Sequence, residues 1–306
     1  MKKSKTNAIV AIIISYYPKL HLLEQLLRVL KDQVDRIIVV DNTPSPSFKV
    51  SSALKKNRGN FHYQALGDNL GIAVAQNVGI RKAMADGCSH VLLLDQDSTI
   101  PTDMVVKLLE AESLLLKAEM RVAAVGPAFM HEKTRVVEKV IRYAFFRIKW
   151  ISVDTFSNQP VESDFIISSG SLIRTSVLNE VGLMREDLFI DRVDTEWGLR
   201  ARYQKLKSYV VPTVIMTHRV GETSVKFLNK WLYFHNVARH YYIIRNSVYL
   251  LRLKTMGWTW RCENLFNEIP RNCVKYFLFS DHKWVTFKLL LRALVDGFRG
   301  KLGRID

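Results

Sequence analysis

The sequence predicts an α/β fold: a mostly parallel central sheet flanked by helices, followed by a helical, basic C-terminal region. Three observations carry that prediction. Short apolar runs alternate with segments of helical leucine and alanine spacing, two of those runs stop on an aspartate, and residues 225–306 hold fifteen Lys or Arg against five Asp or Glu. Apolar runs too short for helices read as buried parallel strands, and their alternation with helices predicts parallel strand pairing.

The first run, Ala8 to Ser15 (AIVAIIIS), ends at Tyr16-Tyr17-Pro18, and helical spacing follows at Leu20, Leu23, Leu26, Leu27 and Leu30. Arg36 to Val40 (RIIVV) is a second strand ending on Asp41. Phe61 to Leu66 is a third, opening into Gly67-Asp68-Asn69-Leu70-Gly71, and Ile72 to Ala85 has helical periodicity. His90 to Leu94 (HVLLL) is the fourth, and it stops on Asp95-Gln96-Asp97-Ser98.

In an open α/β sheet, ligands bind beyond the carboxyl ends of the strands. Two carboxylates one residue apart at such an end cannot both be ionised cheaply unless a cation sits between them. Hard divalent ions such as Mg²⁺ or Mn²⁺ take oxygen ligands and share their remaining positions with phosphates. The structural alternative is a pair of aspartates capping the next helix, with Ser98-Thr99-Ile100-Pro101 as its lead-in.

The chain has 306 residues and a net charge of +16. That length allows one large α/β domain with an additional region. Cys88, Cys262 and Cys273 form no metal-ligand spacing, and so sparse a count fits a reducing cytoplasm. The apolar run after the N-terminal lysines meets Pro18 early and lacks a small-residue cleavage site, so no signal peptide is expected. No stretch reaches the roughly 20 apolar residues of a bilayer span.

Trp231, Trp258, Trp260 and Trp284 all lie in the basic region. Basic side chains among aromatics suit an anionic membrane surface. Residues 283–302 (KWVTFKLLLRALVDGFRGKL) read as an interfacial amphipathic helix outside the nucleotide fold. Its removal is expected to spare the catalytic site. The alternative is that these helices pack on the rest of the chain with their cations solvated. No nucleic-acid recognition motif is present, so no nucleic-acid partner is expected. Residues 43–60 and 131–159 have weak periodicity. The first is expected to rim a ligand cleft, and the second carries no assigned role.

Taken together, IISYYP (13–18), IIVVDNT (37–43), DNLGIAVAQNVGIRKA (68–83), VLLLDQDS (91–98), SSGSLIR (168–174), FIDRVDTEWGLR (189–200) and HRVG (218–221) resemble, in order, a family 2 inverting glycosyltransferase of the GT-A fold. The DQDS and DTEW forms are most similar to its bacterial rhamnosyltransferase branch. The resemblance implies a catalytic domain over 1–224, with a nucleotide half over about 1–100 and an acceptor half over about 101–224. Residues 225–306 then form the basic helical region.

The same resemblance implies roles for individual residues. Ser15, Tyr17, Asp41, Asn69 and Asp95 would line the nucleotide pocket. Asp95, Asp97 and His218 would hold the metal, Ser169 and Gly170 would face the acceptor, and Trp197 would form part of the acceptor wall or, the favoured reading, pack in the core. Arg219 and Arg245 would meet phosphates. The family's base lies six residues before the motif arginine, which from Arg200 lands on Asp194. A helix starting near Val193 would place Asp194 in its first turn, where the helix dipole favours an ionised acid. Asp191 is the runner-up base, and Glu196 is the second acid of the motif, structural or acceptor-orienting.

The expected activity is transfer of L-rhamnose from dTDP-L-rhamnose to a lipid-linked oligosaccharide acceptor of bacterial surface polysaccharide synthesis, at the inner face of the cytoplasmic membrane. One rival keeps the chemistry with a UDP-hexose or UDP-N-acetylhexosamine donor. Another is a nucleotide-sugar-binding protein without turnover, which would not need Asp194. A nucleotidyltransferase would want a Gly-rich, basic phosphate loop near the first strand, and SYYPKLHL is not one.

Overall fold

The computed structural model describes residues 8–45, 50, 60–132, 134–145, 147–218, 223–227, 230–234 and 237–305, of which 218, 223–227, 230–234 and 237 are described by backbone alone. In chain order the first hundred residues contain β1 (Ile9–Ser15), α1 (Leu20–Leu30), β2 (Arg36–Asp41), β3 (Phe61–Ala65), α2 (Ile72–Ala85) and β4 (His90–Asp95). The chain continues with α3 (Met104–Lys117), β5 (Val122–His131), β6 (Val140–Ala144), β7 (Arg147–Ile151), β8 (Val161–Ser163), β9 (Leu172–Arg174), α4 (Thr175–Val181), α5 (Val193–Tyr203) and β10 (Lys207–His218). The strands β11 (Thr223–Phe227) and β12 (Lys230–Phe234) form a hairpin. Then come α6 (Val237–Leu250), α7 (Trp258–Glu263), a π-helical turn over Asn264–Glu268, α8 (Ile269–Leu278) and α9 (Lys283–Arg299).

Eight strands form one sheet in the order β3-β2-β1-β4-β9-β5-β10-β8. The strands β3, β2, β1 and β4 are mutually parallel, as are β5 and β10, while the short β9 runs antiparallel between β4 and β5. Register decides where the site lies. Ser15 pairs with Asp41, and Ile14 pairs with Asp95, so three strand ends fall side by side on one edge of the sheet.

Side chains alternate across a strand, and β1 shows the consequence. Val10, Ile12 and Ile14 enter the core on one face with α2, α4 and α5, while Ile9, Ala11 and Ile13 enter the core on the other with α1 and α3. In α1, Leu23, Leu26, Leu27 and Leu30 repeat at helical spacing and are all buried, which is why this helix lies flat on the second face.

The helical C-terminal region is present, and it is sewn to the catalytic half. Trp260 is fully buried in the same core as β1 and β4, while Phe189, just ahead of α5, packs with Tyr241, Tyr242, Ile269 and Leu290. The helix α9 lies outside the sheet, as expected. It approaches α6 so closely that a Cβ on Gly297 would stand 2.6 Å from the Arg245 carbonyl oxygen. Beyond α9 the chain turns back: Gly303 N–H donates to the Asp187 carbonyl at 2.8 Å, Ile305 N–H to the Tyr242 hydroxyl at 2.9 Å, and Arg304 pairs with Asp68 at 2.8 Å. Against the expectation that this segment can be removed freely, its removal would break a backbone hydrogen bond to the loop at Asp187, another to the Tyr242 hydroxyl of α6, and the Arg304 ion pair with Asp68.

The segment 131–159, whose role the sequence does not decide, contains the antiparallel pair β6–β7, and Thr259 of α7 donates to the Ala144 carbonyl at 2.8 Å.

Candidate active site

The strand ends of β1, β2 and β4 build one side of the site. Asp41 is wholly buried, accepting from Thr43 N–H at 3.1 Å and from the Tyr63 hydroxyl at 2.7 Å. Burial, and then Asp41 itself, drive the Tyr63 hydroxyl well above its ordinary range, so it stays a proton donor to the carboxylate. Asn42 donates its amide to Asn69 Oδ1 at 3.0 Å and accepts from Leu70 N–H at 2.8 Å, while Asn69 Oδ1 also accepts from Gly71 N–H at 3.1 Å. This pair locks the DNLG turn onto the end of β2. Asn69 remains half-buried and Tyr17 is exposed, with Tyr17 in the left-handed region at φ 44 and its N–H donating to Thr43 Oγ1 at 3.2 Å. Both can reach a ligand.

Ser15 and Asp41 are different. Each is 0 % exposed, so neither presents an atom to solvent. In this structure they form the floor, Asp41 by orienting Tyr63 and Thr43, Ser15 by accepting Asn42 N–H at 2.8 Å on its carbonyl, while the Ser15 hydroxyl has no hydrogen-bond partner among the described residues.

At the end of β4, Asp95 is half-buried and Asp97 exposed. Asp95 N–H donates to Ser169 Oγ at 3.2 Å, and Ser169 Oγ shares a hydrogen bond with Ser98 Oγ at 2.7 Å. Gly170 N–H donates to the Leu93 carbonyl at 2.7 Å. Ser169 and Gly170 thus brace the acidic turn from beneath and are buried, which corrects their assignment to an acceptor surface. Only glycine suits position 170, with φ +87 and a Cβ that would stand 2.6 Å from Pro127 Cγ.

The Asp95–Asp97 pair offers oxygen donors at an open strand end, and a hard divalent ion needs only one or two carboxylates beside substrate phosphates. The residues present fit such an ion. Among the described residues no group of three His, Cys, Asp or Glu gathers to hold a metal unaided. The backbone of β10 reaches His218, but the side chain of His218 and the whole of Arg219 lie outside the described residues.

The helix α5 supplies the opposite wall. Asp194 sits in its first turn, half-buried, accepting from Thr195 N–H at 2.8 Å. It borders a small internal cavity with Leu93 of β4, Ser168 and Ser171, which brings it beside the strand that carries the acidic pair. Burial pushes its carboxyl above the usual carboxylate range, and the nearby Asp191 charge pushes the same way; Thr195 N–H and Arg192 oppose. A carboxyl raised in this way is a stronger proton acceptor than an ordinary carboxylate.

The other acids of this segment are occupied. Asp191 takes both prongs of Arg239, at 2.7 and 3.2 Å. Glu196 is buried and grips Arg200 through two hydrogen bonds of 2.9 and 3.0 Å, and Arg200 in turn caps the Val181 and Leu183 carbonyls at 2.7 and 2.8 Å. Of the two expected roles of Glu196, these contacts fit the structural one. Trp197 packs in the core, the favoured of its two readings, and its indole N–H donates to the Gly182 carbonyl at 2.9 Å. Arg245 is not a phosphate ligand, since it is 1 % exposed and saturated by Asn246 and the Leu188 and Gly303 carbonyls. Desolvation lowers its guanidinium below the ordinary value.

Sequence reasoning missed Tyr63 and Arg239. Tyr63 was within reach of a register argument, because diagonal cross-strand neighbours on one face contact each other and Tyr63 lies two positions from Ala65, the partner of Asp41. Arg239 lies 48 residues from Asp191 in sequence, and no local signal links the two.

A sheet of this order, with an acidic turn after its fourth strand and a raised carboxyl on a facing helix, defines a nucleotide-sugar-dependent transferase architecture. Solved structures agree in fold. The crystal structure of GalNAc-T7 with UDP, GalNAc and Mn²⁺ superposes with a TM-score of 0.58 at 12% identity over 93% of this chain, although this chain spans only 58% of that one. S. aureus TarS 1–349 in complex with UDP-GlcNAc gives 0.56 at 14% identity, over 95% of this chain and 81% of that one. Glycosyl transferase family 2 matches residues 11–182, and dTDP-rhamnosyl transferase RfbF of Shigella flexneri is 35% identical over 302 residues, 96% of this chain and 97% of that protein. The chain belongs to glycosyltransferase family 2.

Proposed function

We propose that this glycosyltransferase moves L-rhamnose from dTDP-L-rhamnose to a hydroxyl of a lipid-linked oligosaccharide in bacterial surface polysaccharide synthesis. The rhamnosyl reading is supported by 35% identity to a dTDP-rhamnosyl transferase along nearly the whole of both chains. The observation that carries the chemistry is Asp194, a raised carboxyl beside the strand that bears the acidic pair and, among the described residues, without the ion pair that holds Asp191 and Glu196.

Transfer is a single displacement. The acceptor hydroxyl oxygen attacks the anomeric carbon, the bond from that carbon to the diphosphate oxygen breaks, and dTDP departs with the electron pair. Asp194 takes the hydroxyl proton, and the β-linked donor becomes an α-linked product. Tyr17 and Asn69 bind the nucleotide. Asp95 and Asp97 would hold Mg²⁺ or Mn²⁺, which would supply charge neutralisation for the departing diphosphate.

The enzyme acts at the cytoplasmic membrane surface. Among the described residues no helix is long and apolar enough to cross a membrane. The helix α9 exposes Trp284, Val285, Phe287, Leu291 and Phe298 between Lys283, Lys288 and Arg299, and Lys288 lies 5.3 Å from the Trp284 ring centre. Aromatics and cations on one helix suit the interface of an anionic bilayer.

Incubating the full chain with dTDP-rhamnose, UDP-hexoses and UDP-N-acetylhexosamines, and measuring released nucleoside diphosphate, tests the donor. Release of dTDP alone is expected, abolished by chelator and by Asp97→Ala. Turnover only of a UDP-sugar would replace the donor, and undiminished rate in excess chelator would remove the metal.

A further inference from the structure

The loop that delivers Asp194 is strained. Phe189, Asp191 and Arg192 have φ of 67°, 63° and 64°, a left-handed region that non-glycine residues enter at a cost. Such a loop persists only where its surroundings over-determine it. Here the holding contacts come from α6.

Asn246 of α6 is 0 % exposed, and its amide nitrogen lies 3.0, 2.8 and 3.0 Å from the carbonyl oxygens of Leu188, Ile190 and Asp191. An amide carries only two hydrogens, so three acceptors crowd one donor group. Its own oxygen accepts from Arg245 at 3.0 and 2.8 Å, which fixes the amide's orientation. The neighbours continue the grip: Arg192 donates to Ser247 Oγ at 3.0 Å and to Glu268 at 2.8 Å, and the Phe189 ring stacks on Tyr242 at 5.0 Å. From the other side, Ile72 N–H donates to the Phe189 carbonyl at 2.8 Å. The helix α5 begins at Val193, directly after this loop, so the loop's backbone sets where Asp194 stands.

We infer that Asn246 is a positioning residue for the transfer reaction: by gathering the carbonyls of residues 188, 190 and 191, it holds the loop in the conformation that aims Asp194 at the acceptor hydroxyl. The inference rests on Asp194 being the base. Asn246 touches neither donor nor acceptor, so its loss should change the chemical step and leave nucleotide binding alone.

The test compares Asn246→Leu, which removes the donors without adding charge, and Asn246→Ser, which keeps one donor, in the full chain. The readouts are kcat, donor KM and the pH dependence of kcat. A misplaced base of this kind costs about 10²-fold in rate. The Leu variant should show that loss in kcat with donor KM unchanged, and the Ser variant should fall between it and the wild type. The acid limb should also move down in pH. A relaxed loop lets water reach Asp194, whose other charged neighbours, Asp191 (paired with Arg239) and Arg192 (paired with Glu268), keep their charges in both variants.

Wild-type kcat and acid limb in a folded variant would overturn the inference, as would a loss confined to donor KM. If neither variant folds, Asn246 is a structural residue and the inference is wrong. An active Asp194→Asn enzyme would instead overturn the base assignment; an inactive one beside normal Asn246 variants would overturn only the positioning role.

Discussion

Arg239 holds Asp191 by two hydrogen bonds, Nη2 to Oδ1 at 2.7 Å and Nε to Oδ2 at 3.2 Å, and that pairing separates two carboxylates only three residues apart. The guanidinium thus occupies both oxygens of Asp191 and fixes its side chain in place. Among the described residues Asp194 has no such two-pronged partner, and its burial raises it instead.

Asp194→Asn should therefore lower the transfer rate by about 10²–10⁴-fold, the usual range for a lost general base, while Asp191→Asn should act mainly on stability. The pH dependence has a definite sign. With its folded-state value raised, Asp194 loses its charge as pH falls through a point above the ordinary carboxylate range, so the wild-type rate should fall there and Asp194→Asn should lack that limb. Stability should run the other way. A raised carboxyl favours the folded state most at low pH and loses that contribution as pH rises through its folded value, so Asp194→Asn should be the more stable protein at neutral pH. Rate profiles and thermal melts against pH check both.

Gly170→Ala tests the brace under the acidic turn. The added Cβ would stand 2.6 Å from Pro127 Cγ and 2.8 Å from Met216 Sδ, at a φ of +87. Overpacking of this kind costs about 1–3 kcal/mol, and the backbone strain adds to it. Denaturant unfolding should show the loss. Transfer should weaken as well, because Gly170 N–H holds the Leu93 carbonyl two residues before Asp95.

The C-terminal helix allows surface and packing to be separated. Truncation before Lys283 removes the contacts of Gly303, Arg304 and Ile305 with Asp187, Asp68 and Tyr242, so it should reduce transfer even to a soluble short acceptor. The paired change Trp284→Ser and Phe298→Ser touches residues 66 % and 74 % exposed. It should leave that soluble reaction intact while weakening binding to vesicles of anionic lipid, binding that added salt should also reverse. Equal vesicle binding by wild type and the double variant would assign this face to another partner.

The sequence by itself determined the strands, their order of appearance, and the acids that terminate them, because a buried parallel strand must be a short apolar run and a ligand-facing strand end must be polar. It also singled out Asp194, Asp95 and Asp97, whose spacing is local. Only the tertiary structure decided which polar residues face a ligand and which face one another. Ser15, Asp41, Ser169 and Glu196 look like site residues in the sequence, yet each is buried, three holding a neighbouring side chain and Ser15 a backbone N–H. The grip of α6 on the loop before Asp194 was equally hidden. It joins residues 55–58 positions apart through an asparagine amide and main-chain carbonyls, and every residue carries the same carbonyl, so no pattern in the sequence marks which three will converge.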